Sequence, residues 1–268
     1  MKPHPIMTRA AALGLAGIVL MACAVQAAEV RVVSSGGFAA AYRVLGPEFE
    51  RQTGHTLVTA WGPSMGTTVD AVPARLARGE PIDVLIMVGY ALGQLVEQGK
   101  AAADSRSDLA RSGIGVVVRA GAPKPDISSV DALRHALLAA NSIAYSDSAS
   151  GVYIRDEMFK RMDIMEQMAG KARMIPAEPV GAVVARGEAE IGFQQISELK
   201  PIAGIVLVGP LPPEVQQITV FSAGVAAGSR EPEAARALIR FLISTAAAPA
   251  IVESGMEPMG TVGTAAQK

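Results

Sequence analysis

The chain has little of what redox and metal chemistry uses. Its 268 residues include one cysteine, Cys23, and three histidines. One thiol excludes an internal disulfide, and the histidines show no metal-ligand spacing. Aromatic residues are 4% of the chain, which leaves few platforms for stacking bases or sugars. An excess of charge is also missing. The 24 Lys and Arg stand against 25 Asp and Glu, for a formal net charge of −1, so no basic face points to nucleic acid. These absences predict no metal, no cofactor and no nucleic-acid partner.

Hydrophobic residues make up 50% of the chain, enough to bury the core of one large or two small domains. Residues 1–27 read as a secretory leader. Lys2 and Arg9 give a basic start, Ala10 to Val25 is apolar, and Val25-Gln26-Ala27 fits a small-x-Ala cleavage site. The apolar run is short for a membrane span. This pattern implies export to the periplasm. Cleavage would discard Cys23, and loss of Lys2 and Arg9 takes the charge from −1 to −3. Leu20-Met21-Ala22-Cys23 loosely resembles a lipoprotein box, so lipid anchoring at Cys23 is the lesser alternative.

The stretch from Val30 to Phe38 organises the rest of the chain. Val30-Arg31-Val32-Val33 reads as a strand and runs into Ser34-Ser35-Gly36-Gly37; a helical pattern then covers Ala39 to about Arg51. A helix start carries unpaired amides and about half a positive charge, which suits an anion. The device recurs at Gly62-Pro63-Ser64-Met65-Gly66 after a strand at Thr56–Ala60, with a helix expected over Thr67–Ala77. It recurs again at Ser148-Ala149-Ser150-Gly151 after a strand at Ser142–Tyr145. Asp83–Val88 is a continuous apolar run after its first residue, as in a parallel strand covered on both faces. Pro179-Val180-Gly181 opens another helix, and Glu190–Gln195 reads as a strand ending in two amides. The pattern predicts an α/β fold of two lobes, with a central cleft and a two-strand hinge near Ser112 and Thr219. Residues 28–112 and 219–268 would form one lobe and 113–218 the other. Turns at the carboxyl ends of strands would then face one cleft.

In their order and spacing several segments resemble the molybdate-type solute-binding proteins of ABC importers, in the type II periplasmic binding protein superfamily. They are Val30–Phe38, Trp61–Ser64, Gly79–Val84, Ser148–Tyr153, Arg186–Gly192 and a closing helix near Gly255. The resemblance implies a monomer that closes over a small tetrahedral anion, molybdate or tungstate, and presents it to a membrane permease. In that family neutral donors hold the anion: serine hydroxyls, amides at helix starts, and a tyrosine. Carried across, the first-lobe donors fall at Ser35, Gly36 and Gly37, with a second serine at Ser64. Second-lobe donors fall at Ser150, Gly151 and Val180, and the tyrosine position falls at Gln195 or, one register away, Gln194. Gly37 lacks the hydroxyl often found there, and Gln195 replaces the phenol with an amide that also donates.

Other readings of the same residues stay open. The serines and glycines serve equally as helix caps and turn formers. Sulfate or a small organic carboxylate is the alternative ligand; a carboxylate would favour an arginine in the cleft, for which Arg155 is the nearest candidate. Ser64 also matches the G-x-S-x-G elbow of serine hydrolases. A triad needs a positioned base, however; His55 precedes Ser64, and His135 lies within a helical run. Trp61 and Tyr153 read as rim or core packing, Asp83 as structural, and the helix-spaced Met158, Met162, Met165 and Met168 as a buried face. The sequence therefore predicts binding without chemistry.

Overall fold

The computed structural model describes residues 27–260. The expected leader, with Cys23, lies outside the described residues but for Ala27. Eleven strands among those described form two sheets. The first sheet contains β1 (Glu29–Ser34), β2 (Thr56–Trp61), β3 (Val84–Val88) and β4 (Ser107–Ser112). The second contains β5 (Ile114–Arg119), β6 (Ile143–Ser146), β7 (Ala172–Ile175), β8 (Ile191–Gln195) and β9 (Ile205–Pro210). The chain then returns to the first sheet with β10 (Thr219–Val225) and β11 (Glu257–Pro258). The strand orders are β11-β4-β10-β3-β1-β2 and β7-β6-β8-β5-β9.

Each sheet repeats one plan. β1 pairs in parallel with β2 and β3, and β6 pairs in parallel with β7 and β8. Antiparallel strands flank these trios, β10 on β3 and β5 on β8. The parallel strands of a trio end at one edge, so the turns after them gather there. β3 is buried at every position, as its apolar run requires at the centre of a sheet covered on both faces.

The cores are separate. Phe38, Phe49, Leu85 and Leu92 belong to a cluster around the first sheet; Leu133, Leu137, Phe159 and Phe193 belong to one on the second. Val117, Val180 and Val184 fill the second sheet's other face. Burying one such side chain is worth about 1.5–3 kcal/mol, so each lobe holds itself together. Asp83, at the start of β3, fastens the first lobe on the side away from the turns. It accepts from Arg31 N and Arg230 N, each at 2.8 Å, from the Ser229 hydroxyl at 2.8 Å, and from Glu231 N at 3.2 Å. Burial alone would raise its pKa, but these donors hold it below the usual carboxylate range.

The chain crosses between the sheets at Gly113 and again over residues 211–218. Gln216 ties the crossings, accepting from Ile114 N at 2.8 Å and donating to Ile114 O at 3.0 Å. Gln195 does the same beside it. With its amide turned to satisfy its neighbours, it accepts from the Thr219 hydroxyl at 2.8 Å and donates to Ser112 O at 3.1 Å and Gly113 O at 3.2 Å.

Four local expectations need correction. The first helix spans Gly36–Thr53, so the glycines are its opening turn rather than a linker before it. The helix expected from Thr67 spans only Val72–Ala77, and Val69 is 76% exposed. The preceding residues fold back as a loop, with Val72 N donating to Pro63 O at 3.0 Å, and Pro73 sets the first helical turn. β4 was not foreseen: Ser107-Asp108-Leu109-Ala110-Arg111-Ser112 has too few apolar residues to show alternation. Of the methionine row, Met158, Met162 and Met168 are buried, while Met165 is exposed.

Candidate functional site

The turns after β1, β2 and β3 face the turns after β6 and β8 across the hinge. In the first lobe β1 delivers Ser35 as the N-cap of the 18-residue helix Gly36–Thr53. Ser35 is buried, and its hydroxyl has no hydrogen-bond partner. A free hydroxyl therefore stands beside the first unpaired amides of a long helix. Gly37 lacks a side chain for a steric reason: a Cβ there would enter the Phe221 ring on β10. A serine at this position, as the resemblance often has it, would require the Phe221 ring to move. Ser64 is buried over the end of β3 and accepts from Val88 N at 2.9 Å. Its oxygen is thus engaged in the backbone, with its own proton left to donate.

The second lobe is built differently. The Ser146, Ser148 and Ser150 hydroxyls lie 2.7, 3.0 and 3.4 Å apart in a mutual cluster. Gly151 is required there, because a Cβ would strike the Ser146 carbonyl. The Val180 amide, expected to face the ligand, donates to Gln194 Oε1 at 2.9 Å. Gln195 is committed to the hinge, as described above. Of the expected second-lobe donors, Ser150 and Gly151 stand at the turn after β6, while Val180 and Gln195 have internal partners.

Two contacts join the lobes at the turns, besides the Lys200 Nζ donation to Glu253 O at 2.6 Å. Ala149, in the serine turn, packs on the first lobe's core and lines a cavity of about 300 Å³. Gly89 and Tyr90 after β3, Arg106 and Asp108 at the start of β4, Gln217 and Ile218 of the second crossing, and Thr219 and Val220 of β10 line its other walls. That volume is at the small end of ligand sites. Arg106 is the cleft arginine that a carboxylate would favour; it stands 3.7 Å from Asp108, which in turn accepts from the Ser222 hydroxyl at 2.6 Å. Arg155 does not take that part, since its guanidinium bonds Asp156 at 2.6 and 2.7 Å on an exposed helix face.

The second contact was missed by the sequence reading. Glu198 lies in the short helix Ile196–Leu199 after β8 and reaches the opening turn of the first lobe's helix. A Cβ on Gly36 would collide with Glu198 Oε1, so any other residue at this position would require the Glu198 side chain to shift. Burial raises the Glu198 pKa from 4.5 to about 7, a Gln194 hydrogen bond pulls it down, and the charge of Asp147 adds to the rise. The signal available in the sequence was an acid three residues beyond the end of an apolar strand.

The bases that a hydrolase reading would need are placed elsewhere, with His135 exposed on the second-lobe helix Val130–Ala139. His55 accepts from Ala28 N at 3.0 Å and stacks on Phe49, 5.8 Å between centroids, inside the first lobe. Trp61 packs edge-on against Tyr42, and Tyr153 donates to Val215 O at 2.9 Å. Among the described residues no group of three or more His, Cys, Asp and Glu could hold a metal ion. No described helix is long and apolar enough to cross a membrane.

The sequence profile described as "Bacterial extracellular solute-binding protein" matches residues 30–257. The chain is 51% identical over 251 residues to an aconitate isomerase from a Pseudomonas species, covering 92% of this chain and 96% of that protein. It is 27% identical over 188 residues to the molybdate-binding protein ModA of Azotobacter vinelandii, covering 68% of this chain and 71% of that protein. Its fold matches the solved periplasmic molybdate-binding protein of Azotobacter vinelandii with a TM-score of 0.69 at 22% identity, covering 85% of this chain and 98% of that one. The expected two-lobed periplasmic binding fold is therefore present. The expectation of binding without chemistry is corrected, because the 51% relative carries the name of an enzyme.

Proposed function

The chain belongs to the bacterial extracellular solute-binding proteins, and we propose that it uses their cleft to bind a small polycarboxylate and isomerise aconitate. One observation carries this reading: 51% identity with an aconitate isomerase along 96% of that protein. Arg106 in the interlobe cavity supports it, since a guanidinium is the usual partner of a carboxylate. Aconitate has three carboxylates on a three-carbon skeleton with one double bond. Moving that double bond along the skeleton interconverts its geometric isomers, and the move consumes nothing. The site has to fix the carboxylates, remove one carbon-bound proton and return it elsewhere. The finer expectations of molybdate or tungstate as ligand, and of an ABC permease as partner, rest on likeness to transport proteins; the isomerase reading needs neither.

The test is to supply the purified protein with cis- or trans-aconitate and follow the vinyl protons by NMR. Both substrates should converge on one mixture. In a thermal-shift series, a ligand at a thousand times its Kd stabilises by about 4 kcal/mol, on the order of ten degrees for a protein of this size. The shift should come from tricarboxylates. A shift confined to molybdate and tungstate, with neither isomer converted, would overturn the reading.

A further inference from the structure

We propose that the Glu198 carboxylate is the base that removes and returns the migrating proton, at the point where it crosses from the second lobe to the opening turn of the first. This rests on the isomerase reading above. Three features of its placement carry it. Its Oε1 lies where a Cβ of Gly36 would be, at the amides that begin the Gly36–Thr53 helix. The neighbours of both contact residues, Ser35 and Ser197, are buried serines whose hydroxyls lack partners. Gln194, its Oε1 fixed by the Val180 amide, lies near enough to the carboxyl to pull its pKa down. Two unpaired hydroxyls are thus next in the chain to the residues of this contact, at a helix start that suits an anion.

Glu198 is also placed between the two anchors. It touches the turn after β1 and feels Asp147 in the turn after β6. The interlobe cavity lies over the ends of β3 and β10, and β1 is the next strand to β3. β1 therefore stands one strand's width, about 4.8 Å, from the β3 wall of the cavity, while Arg106, before β4, stands on the far side of β10. Its pKa, raised to about 7, suits a group that gives and takes a proton at neutral pH.

The step balances. Glu198, ionised, takes a proton from the methylene carbon, and the C–H pair spreads over the three carbons and the terminal carboxylates. The neutral Glu198 then returns the proton to the carbon at the far end, where the old double bond ended. A new double bond forms on the first pair of carbons, and its geometry is set by how the site holds the first carboxylate. The helix amides and the Ser35 hydroxyl would stabilise the extra negative charge while it lasts.

Glu198→Gln keeps the size and the hydrogen bonding but cannot accept the proton. Its Kd for tricarballylate, the saturated analogue, should stay within a few-fold of the parent. Its isomerisation rate, and its exchange of methylene protons with deuterium oxide, should both fall by about a thousandfold. Glu198→Asp, one methylene shorter, should recover part of kcat with KM little changed. The acid limb of kcat/KM in the parent should report a group near 7. That profile and the Asp variant decide the question if the Gln variant does not fold. A Gln variant that folds and keeps more than a tenth of the parent rate overturns the role of Glu198 and leaves the isomerase reading standing. A parent protein that converts neither isomer and exchanges no proton overturns both.

Discussion

The two anchors that face each other across the hinge are built on one plan and left in opposite states. After β6, the Ser146, Ser148 and Ser150 hydroxyls satisfy one another, and Gln194 occupies the Val180 amide. After β1, the Ser35 hydroxyl is buried with no partner, and the nearest charge is a carboxylate from the other lobe. A buried polar group without a partner costs roughly 1–3 kcal/mol. A ligand's oxygen would relieve that cost at the turn after β1, whereas the hydroxyls of the turn after β6 have none to relieve. The difference teaches that a shared strand-turn-helix pattern does not imply a shared role, since one turn is a frame and the other an acceptor of charge.

Glycine substitutions should give the largest break in this comparison. At Gly151 a new Cβ meets the Ser146 carbonyl, which is backbone and has no rotamer to change. Gly151→Ala should lower stability by about 3 kcal/mol or more, read by chemical denaturation. At Gly37 the obstacle is the Phe221 ring, a side chain that can turn. Gly37→Ala should cost only about 1–2 kcal/mol. Equal losses would mean that the second turn is no more rigid than the first.

The next effect is pH dependence without ligand. The Glu198 pKa is raised from 4.5 to about 7 in the folded protein, so the folded state holds this proton more tightly than the unfolded chain. The stability this gives is full below about pH 4.5 and is lost as pH rises through about 7. The loss should amount to about 3 kcal/mol across that window, and Glu198→Gln should flatten it. The proton-linked instability would then belong to the first anchor, since it comes from holding a carboxylate against Gly36.

A smaller effect separates the cavity from both turns. Arg106→Ala should weaken tricarballylate binding by about tenfold, the value of one charge-assisted hydrogen bond at a partly exposed group. Isothermal titration checks it. Unchanged affinity would place the ligand on the two turns alone.

How far the sequence foretold this arrangement depended on whether each feature is local. The Asp83–Val88 run and the three strand-turn-helix stretches are contiguous, so the lobes, the parallel trios and the glycine turns were legible. β4 was not, because Ser107–Ser112 lies between β10 and the two-residue β11 with few apolar side chains to reveal it. Gln195 was placed at the ligand because it ends a strand and falls at the tyrosine position of the resembled family. Its partners Ser112, Gly113 and Thr219 belong to the two crossings, and only the folded hinge brings them together. Glu198 was invisible for the same reason. Nothing near it in the chain raises its pKa; its burial in the fold and the charge of Asp147 from another turn do.

The smallest effects should sharpen the comparison most, because they pit one hydroxyl against its counterpart. Ser150→Ala removes a member of a bonded cluster and should cost about 1 kcal/mol of stability. Ser35→Ala removes an oxygen that bonds nothing, so stability should change by no more than about 0.5 kcal/mol, and in the direction of a gain. Ligand affinity should rank the pair the other way. Losing the Ser35 hydroxyl deprives a bound anion of a donor with no other engagement, about a tenfold loss, while the Ser146 and Ser148 hydroxyls remain to cover for Ser150. Denaturation and calorimetry on the two variants give the four values. If Ser35→Ala is the more destabilising and the less harmful to binding, the roles assigned to the two turns are reversed.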